Sequence, residues 1–370
     1  MIFDKNSTGA VELKGLLGFI YKSNKFENLI SYIGFAERDI KKIIGKEVYD
    51  LAEDHYLSDN YMVPPTDPPE DPPADPPEEP PADPPENHPE YALLDDLVHK
   101  IQLPIALHAY RRFVPSGDLT HSDKGRQIFV SDEEKPAFEW QVERDNQNLL
   151  SLAYEAIDLL LEFLEEQTDA DLVDADPDAT PPVDGIPNPI TEVWATSESY
   201  SKLKNYIITL DRFNEIFPIN GSRRLFIILY GSIERSLKKS VIPVITQDKY
   251  DSLKERIIDK DETADDKDLL EYIYPVIVYD TMSRALKSLP VEVLPEGIFQ
   301  NYIGNVISGK NIASRMDRIE VAARLDGMAK GELKALQEYL RKLAQVEAGE
   351  TYVPEDPLER IDKDDTFVRF

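Results

Sequence analysis

Four short clusters in this sequence carry residue types that could do chemistry. The run Gly304-Asn305-Val306-Ile307-Ser308-Gly309-Lys310-Asn311 has the GxxxxGK spacing of a phosphate-binding loop. Such a loop needs glycine backbone N–H groups to wrap the phosphates, a lysine for the terminal phosphate and a following Ser or Thr for magnesium. Asn311 takes that last place, and the acidic run ending at Asp280 lies upstream in an expected helix instead of on a later strand. The segment therefore reads as a glycine-bounded loop. Asp95, Asp96 and His99 share one helical turn, a spacing that suits a metal. No second histidine lies within four residues, and His108 falls about 2.5 turns on, so an acidic first turn complementing the helix dipole is the simpler account.

Ser116-Gly117-Asp118 with His121 offers a nucleophile and a base, but has the composition of a turn and no nucleophile elbow. The only double arginines, Arg111-Arg112 and Arg223-Arg224, sit at expected helix ends or starts. Ion pairs within an acidic body are their ordinary role, and a subunit interface is the functional alternative. The chain has no cysteine, which excludes disulfides and thiolate chemistry. No catalytic, cofactor or metal set is expected.

The elements that would position these residues come in two similar series. Ile40-Lys41-Lys42-Ile43-Ile44-Gly45-Lys46-Glu47-Val48-Tyr49-Asp50 lies over Val241-Ile242-Pro243-Val244-Ile245-Thr246-Gln247-Asp248-Lys249-Tyr250-Asp251 at an offset of 201, apolar on apolar and ending on Tyr-Asp in both. Leu103–Leu107 lies over Tyr274–Val278 at 171, and Leu160–Leu164 over Leu336–Leu340 at 176. The drop of 30 between the first two offsets is close to the 26 residues of Pro64–Pro89, a Pro-Pro-x-Asp/Glu repeat. Paired prolines exclude helix and sheet and favour an extended polyproline II rod. A spacer or surface decoration is the plain reading of that insert, and a partner motif the sharper one.

The expected fold is therefore mainly α with short β elements, as two tandem, similar helical units. Residues 1–167 form the first, carrying the proline-acid insert at 64–89; 168–190 form a linker; 191–346 form the second; 347–370 form an extended tail. Each unit should contain a helix with an internal proline (Pro104, Pro275), a β excursion (around Leu119–Val130; Val291–Ile303) and a last long helix (about Pro136–Glu166; Asn311–Val346). Ser23 and Ser222 are candidate helix caps.

At 370 residues, two domains are expected. The formal charge of −30, still −22 without the eight acids of the insert, disfavours ordinary nucleic-acid binding, which rests on neutralising phosphates with Lys and Arg. Solubility alone accounts for it; a surface past which DNA slides without sticking is the sharper reading. No apolar run reaches the roughly 18 residues of a membrane span, and the start is unlike a signal peptide. A cytoplasmic site of synthesis is expected. The tail is polar but ends Thr366-Phe367-Val368-Arg369-Phe370. Phe367, Val368 and Phe370 are candidates for strand addition to another chain.

In that order of elements the first half resembles the small helical adaptor, or head-completion, proteins of tailed bacteriophages. The resemblance lies in the short helix ending Ile43-Ile44-Gly45-Lys46-Glu47-Val48-Tyr49-Asp50, the proline-bearing helix Leu97–Phe113, the excursion Gly125-Arg126-Gln127-Ile128-Phe129-Val130, and the helix opening Phe138-Glu139-Trp140. The whole chain looks like a tandem-duplicated family encoded among prophage structural genes. The resemblance implies a non-enzymatic virion part, assembled in the bacterial host cytoplasm as a homo-oligomeric ring beside portal and tail components, with DNA passing through without specific binding. An intracellular helical interaction scaffold unrelated to virions is the alternative.

Overall fold

The computed structural model describes residues 1–18, 25–61, 89–117, 120–122, 125–127, 138–174, 188–204, 207–289 and 315–348. It is mostly helical. The insert, the Gly304–Asn311 loop, the expected second β excursion, Ser23 and the tail residues Phe367, Val368 and Phe370 lie outside the described residues. The chain divides into two compact units: Met1–Asn205 with Ile219–Ile228, and Tyr206–Pro218 with Leu229–Phe370.

In the first unit the helices are α1 (Gly9–Leu17), α2 (Phe26–Ile44), α3 (Lys46–Leu57), α4 (Pro89–Gly117), α5 (Glu139–Asp174), α6 (Pro189–Ala195) and α7 (Glu198–Leu203). Helix α2 is amphipathic because Leu29, Ile33, Ala36, Ile40 and Ile44 recur at helical spacing and are all buried. That stripe packs on α4, which buries Leu97, Val98, Ile101, Ile105 and Ala109; α4 also packs on α3 and α5. Pro104 and Pro115 do not end α4, whose helical assignment runs through both. Among the described residues the only extended pairing is β1 (Thr120–Ser122) with β2 (Gly125–Gln127), antiparallel and three residues a side. It adds no layer to the core.

The stretch read as a linker, 168–190, is tied down at both ends. Helix α5 continues to Asp174, past the expected stop at Glu166. Thr168 is buried and its hydroxyl donates to the Leu164 carbonyl at 3.0 Å. At the other end Asn188 caps α6, its side chain accepting from Ile190 N at 3.0 Å, and donates to Gln167 Oε1 at 3.3 Å. Pro189 follows at the first helical position, where its missing N–H costs nothing. Residues 191–204, read as the start of the second unit, belong to the first.

The second unit contains α8 (Leu210–Ile216), most of α9 (Arg223–Ser236), a π-helical turn at Leu237–Val241, α10 (Ile242–Ile245), α11 (Gln247–Ile258), α12 (Ala264–Ser288) and α13 (Arg315–Glu347). Ser222 caps α9 as expected, accepting from Leu225 N at 3.2 Å. Helix α12 opens on a capping box between Thr263 and Asp266, and Asp266 also takes a two-pronged ion pair from Arg256 at 2.6 and 2.7 Å. Burial pushes the Asp266 carboxyl up, but those bonds outweigh it and hold the group below its ordinary value. Helices α12 and α13 form the main pairing of this unit, with Tyr272 stacked on Tyr339 at 4.4 Å between centroids and Ser283 donating to the Ala322 carbonyl. No described helix is long and apolar enough to cross a membrane.

One local geometry occurs in both units. Helix α2 ends at Ile44, Gly45 turns with φ 93 and ψ 158, and α3 runs Lys46–Leu57. Helix α10 ends at Ile245, Thr246 turns with φ 74 and ψ 156, and α11 runs Gln247–Ile258. Every boundary is displaced by the offset of 201 seen in the sequence. Likewise Gln102–Ala109 of α4 and Ile273–Asp280 of α12 share their sequence of buried and half-buried positions except at the Pro104/Pro275 pair.

Candidate functional site

In the first unit, side chains from four helical segments line a half-open cavity of about 150 Å³. Helix α2 supplies Asp39, Ile40 and Ile43, α4 supplies His108 and Arg112, and α5 supplies Tyr154 and Ile157. The first turns of α9 add Arg224, Ile227 and Ile228. Within each segment the spacing is one, three or four residues, so each helix turns a single face to the cavity.

The polar groups are arranged in two charge-balanced sets. Arg112 donates to Asp39 Oδ2 at 2.5 Å. For Asp39, burial raises the carboxyl, and the Arg112 bond and charge overcome it, so the net shift is downward. Arg224, 5% exposed, lays its guanidinium over the Tyr154 ring at 3.6 Å, and its backbone N–H donates to Asp158 Oδ1 at 2.7 Å. Burial lowers the Arg224 pKa and raises that of Asp158. His108 lies between the two sets, tilted against Tyr154 with ring centroids 6.0 Å apart. Its Nε2 is buried without a hydrogen-bond partner in the protein. Burial first, then the charges of Arg112, Arg111 and Arg224, push the imidazole down to about 4, so it is neutral at physiological pH.

Two of the four sequence-singled arginines thus meet at one cavity, from helices more than a hundred residues apart in sequence. Arg223 faces elsewhere, pairing with Glu165 at 2.6 Å and Glu162 at 3.2 Å. Arg111 sits half-buried on α4. The side chains of Arg112, Arg223 and Arg224 are therefore engaged within their own unit.

Asp95 bonds His55 Nε2 at 2.7 Å, and that ring lies between Tyr61 and Tyr91. His55 comes from the far side of the insert, a pairing that local spacing does not reveal. Among the described residues no group of three or more His, Asp or Glu is placed to hold a metal. Ser116 accepts from the Tyr32 hydroxyl at 3.0 Å, while Asp118 and the His121 side chain lie outside the described residues. His108 itself was placed by sequence only as lying off the His99 face. Its i,i+4 spacing to Arg112 was the available signal.

The sequence model of a family of unknown function, DUF6712, matches residues 79–178 and 241–347, together more than half of the chain. No curated protein and no solved structure matches it.

Proposed function

The chain belongs to the DUF6712 family, and we propose that it is a non-enzymatic structural protein of a phage virion, built by tandem duplication of one helical unit and assembling as a ring-forming connector between portal and tail. The observation that carries the reading is the corner made twice, α2–Gly45–α3 and α10–Thr246–α11, at one constant offset. The family matches support the same division. The second match spans the corner, the proline-bearing helix and the last long helix, whereas the first opens inside the insert, at 79, with its corner left on the insert's other side. Residues 58–88 separate α3 from α4 where only 259–263 separate α11 from α12, and the surplus equals the 26-residue insert.

The resemblance of the repeated unit to head-completion adaptors supplies the class. A charge of −30 suits a lumen through which DNA moves without adhering. Rings close through heterologous contacts, and since three of the four paired arginines are spent within their unit, those contacts are expected on the exposed helix faces and on the tail ending Phe367, Val368 and Phe370. Negative-stain microscopy and mass photometry of the purified protein test this. Closed rings of one subunit number, and the protein in purified particles by mass spectrometry, are the expected result. A monomer at tens of micromolar that is absent from particles overturns it in favour of the intracellular interaction scaffold.

A further inference from the structure

We propose that the cavity between α2, α4, α5 and the start of α9 is a binding site for a neutral, ring-sized molecule carrying one hydroxyl group, of the phenol class. Three observations lead there, none of which depends on the assembly reading. The first is size: about 150 Å³ is the scale at which an apolar protein cavity takes up a benzene-sized ring. The second is lining. Ile40, Ile43, Ile157, Ile227 and Ile228 supply apolar wall, which favours a ring over a fully hydrated ion.

The third is the placement of polar atoms. Arg112 is matched by Asp39, and Arg224 by the Tyr154 face with Asp158 beside its backbone, so no uncompensated charge calls for an anion. His108 Nε2 is a buried polar atom that the protein itself leaves without a hydrogen bond. A hydroxyl both donates and accepts, so it satisfies that nitrogen in either ring tautomer. A neutral imidazole in turn asks for a neutral ligand, because burying a charge there without a counter-charge is costly.

Methyl NMR of the full chain, titrated with phenol and separately with toluene, tests the site without any mutation. Phenol is expected to shift the methyl signals of those five isoleucines saturably and to bind about tenfold tighter than toluene, the ratio one net hydrogen bond supplies. His108→Phe is expected to bring phenol down to the toluene affinity, and Ile227→Trp, which fills the space, to abolish both. Absence of saturable phenol binding, equal affinity for the two rings, or shifts confined to isoleucines elsewhere each overturn the proposal.

Discussion

His108 is a half-buried base whose proton affinity the fold suppresses, and that suppression has a measurable cost in acid. Its folded pKa of about 4 lies below the ordinary 6.5 because of burial and the charges of Arg112, Arg111 and Arg224, with Asp39 opposing them. As pH falls below 6.5 the unfolded chain takes up the proton first, so stability drops through the window from 6.5 to about 4, by at most about 3 kcal/mol. Glu12 runs the other way. Burial raises its carboxyl despite bonds from Thr8, Tyr56 and Gln102, so acid relieves a strain that neutral pH imposes. Urea melts at pH 7 and pH 4.5 are therefore expected to differ less in His108→Leu than in the parent chain. An unchanged difference would place the acid sensitivity elsewhere. The ion pairs of Arg112 and Arg223 were legible in an acidic sequence. The convergence of Arg112 and Arg224 on His108 was not, because it depends on how four helices pack.

At the level of elements, the two corners pose a natural comparison. Gly45 and Thr246 hold nearly the same backbone conformation, which glycine enters freely and a β-branched residue enters at a cost of about 1–3 kcal/mol. Thr246 recovers a little by accepting from Lys249 N at 3.5 Å, a cap that glycine would lose for only a few tenths of a kcal/mol. Thr246→Gly is thus expected to raise the melting temperature by about 2–4 °C, and Gly45→Thr to lower it by at least as much. A Cβ at Gly45 would meet nothing closer than Ser197 Cβ at 3.5 Å, so the loss would come from backbone strain and not from a clash. Calorimetric scans of both variants decide it; a destabilised Thr246→Gly would mean the threonine is not strained. The pairing of these segments was readable from apolar positions and the shared Tyr-Asp. The left-handed turn at Thr246 was not, since threonine carries no sequence signal for positive φ. The helical extension through Thr168 was hidden by the acids that follow it, which look like linker until the buried hydroxyl is seen bonding back to Leu164.

For the molecule as a whole, the insert interrupts a contact that closes without it. Helices α3 and α4 pack together, and His55 and Asp95 join across the interruption. Replacing residues 64–88 by a short Gly-Ser linker is expected to leave helical content unchanged. Shortening the 58–88 connection to the length of 259–263 returns at most about 1.6 kcal/mol of loop-closure entropy. Melting is then expected to stay level or rise by a few degrees, and a collapse of the circular dichroism signal would show that the insert contributes to the core. The two-unit organisation was legible from the offsets. The division between units was not, because composition marks 168–190 while the packing keeps α6 and α7 with the first unit.

The α3–α4 junction also makes the protein a carrier. A site that already tolerates a long spliced segment while its flanking helices stay clasped is a port for foreign sequence: an affinity peptide, a fluorophore-labelling tag or an antigen could replace the proline-acid stretch, and in a symmetric assembly every subunit would display its copy.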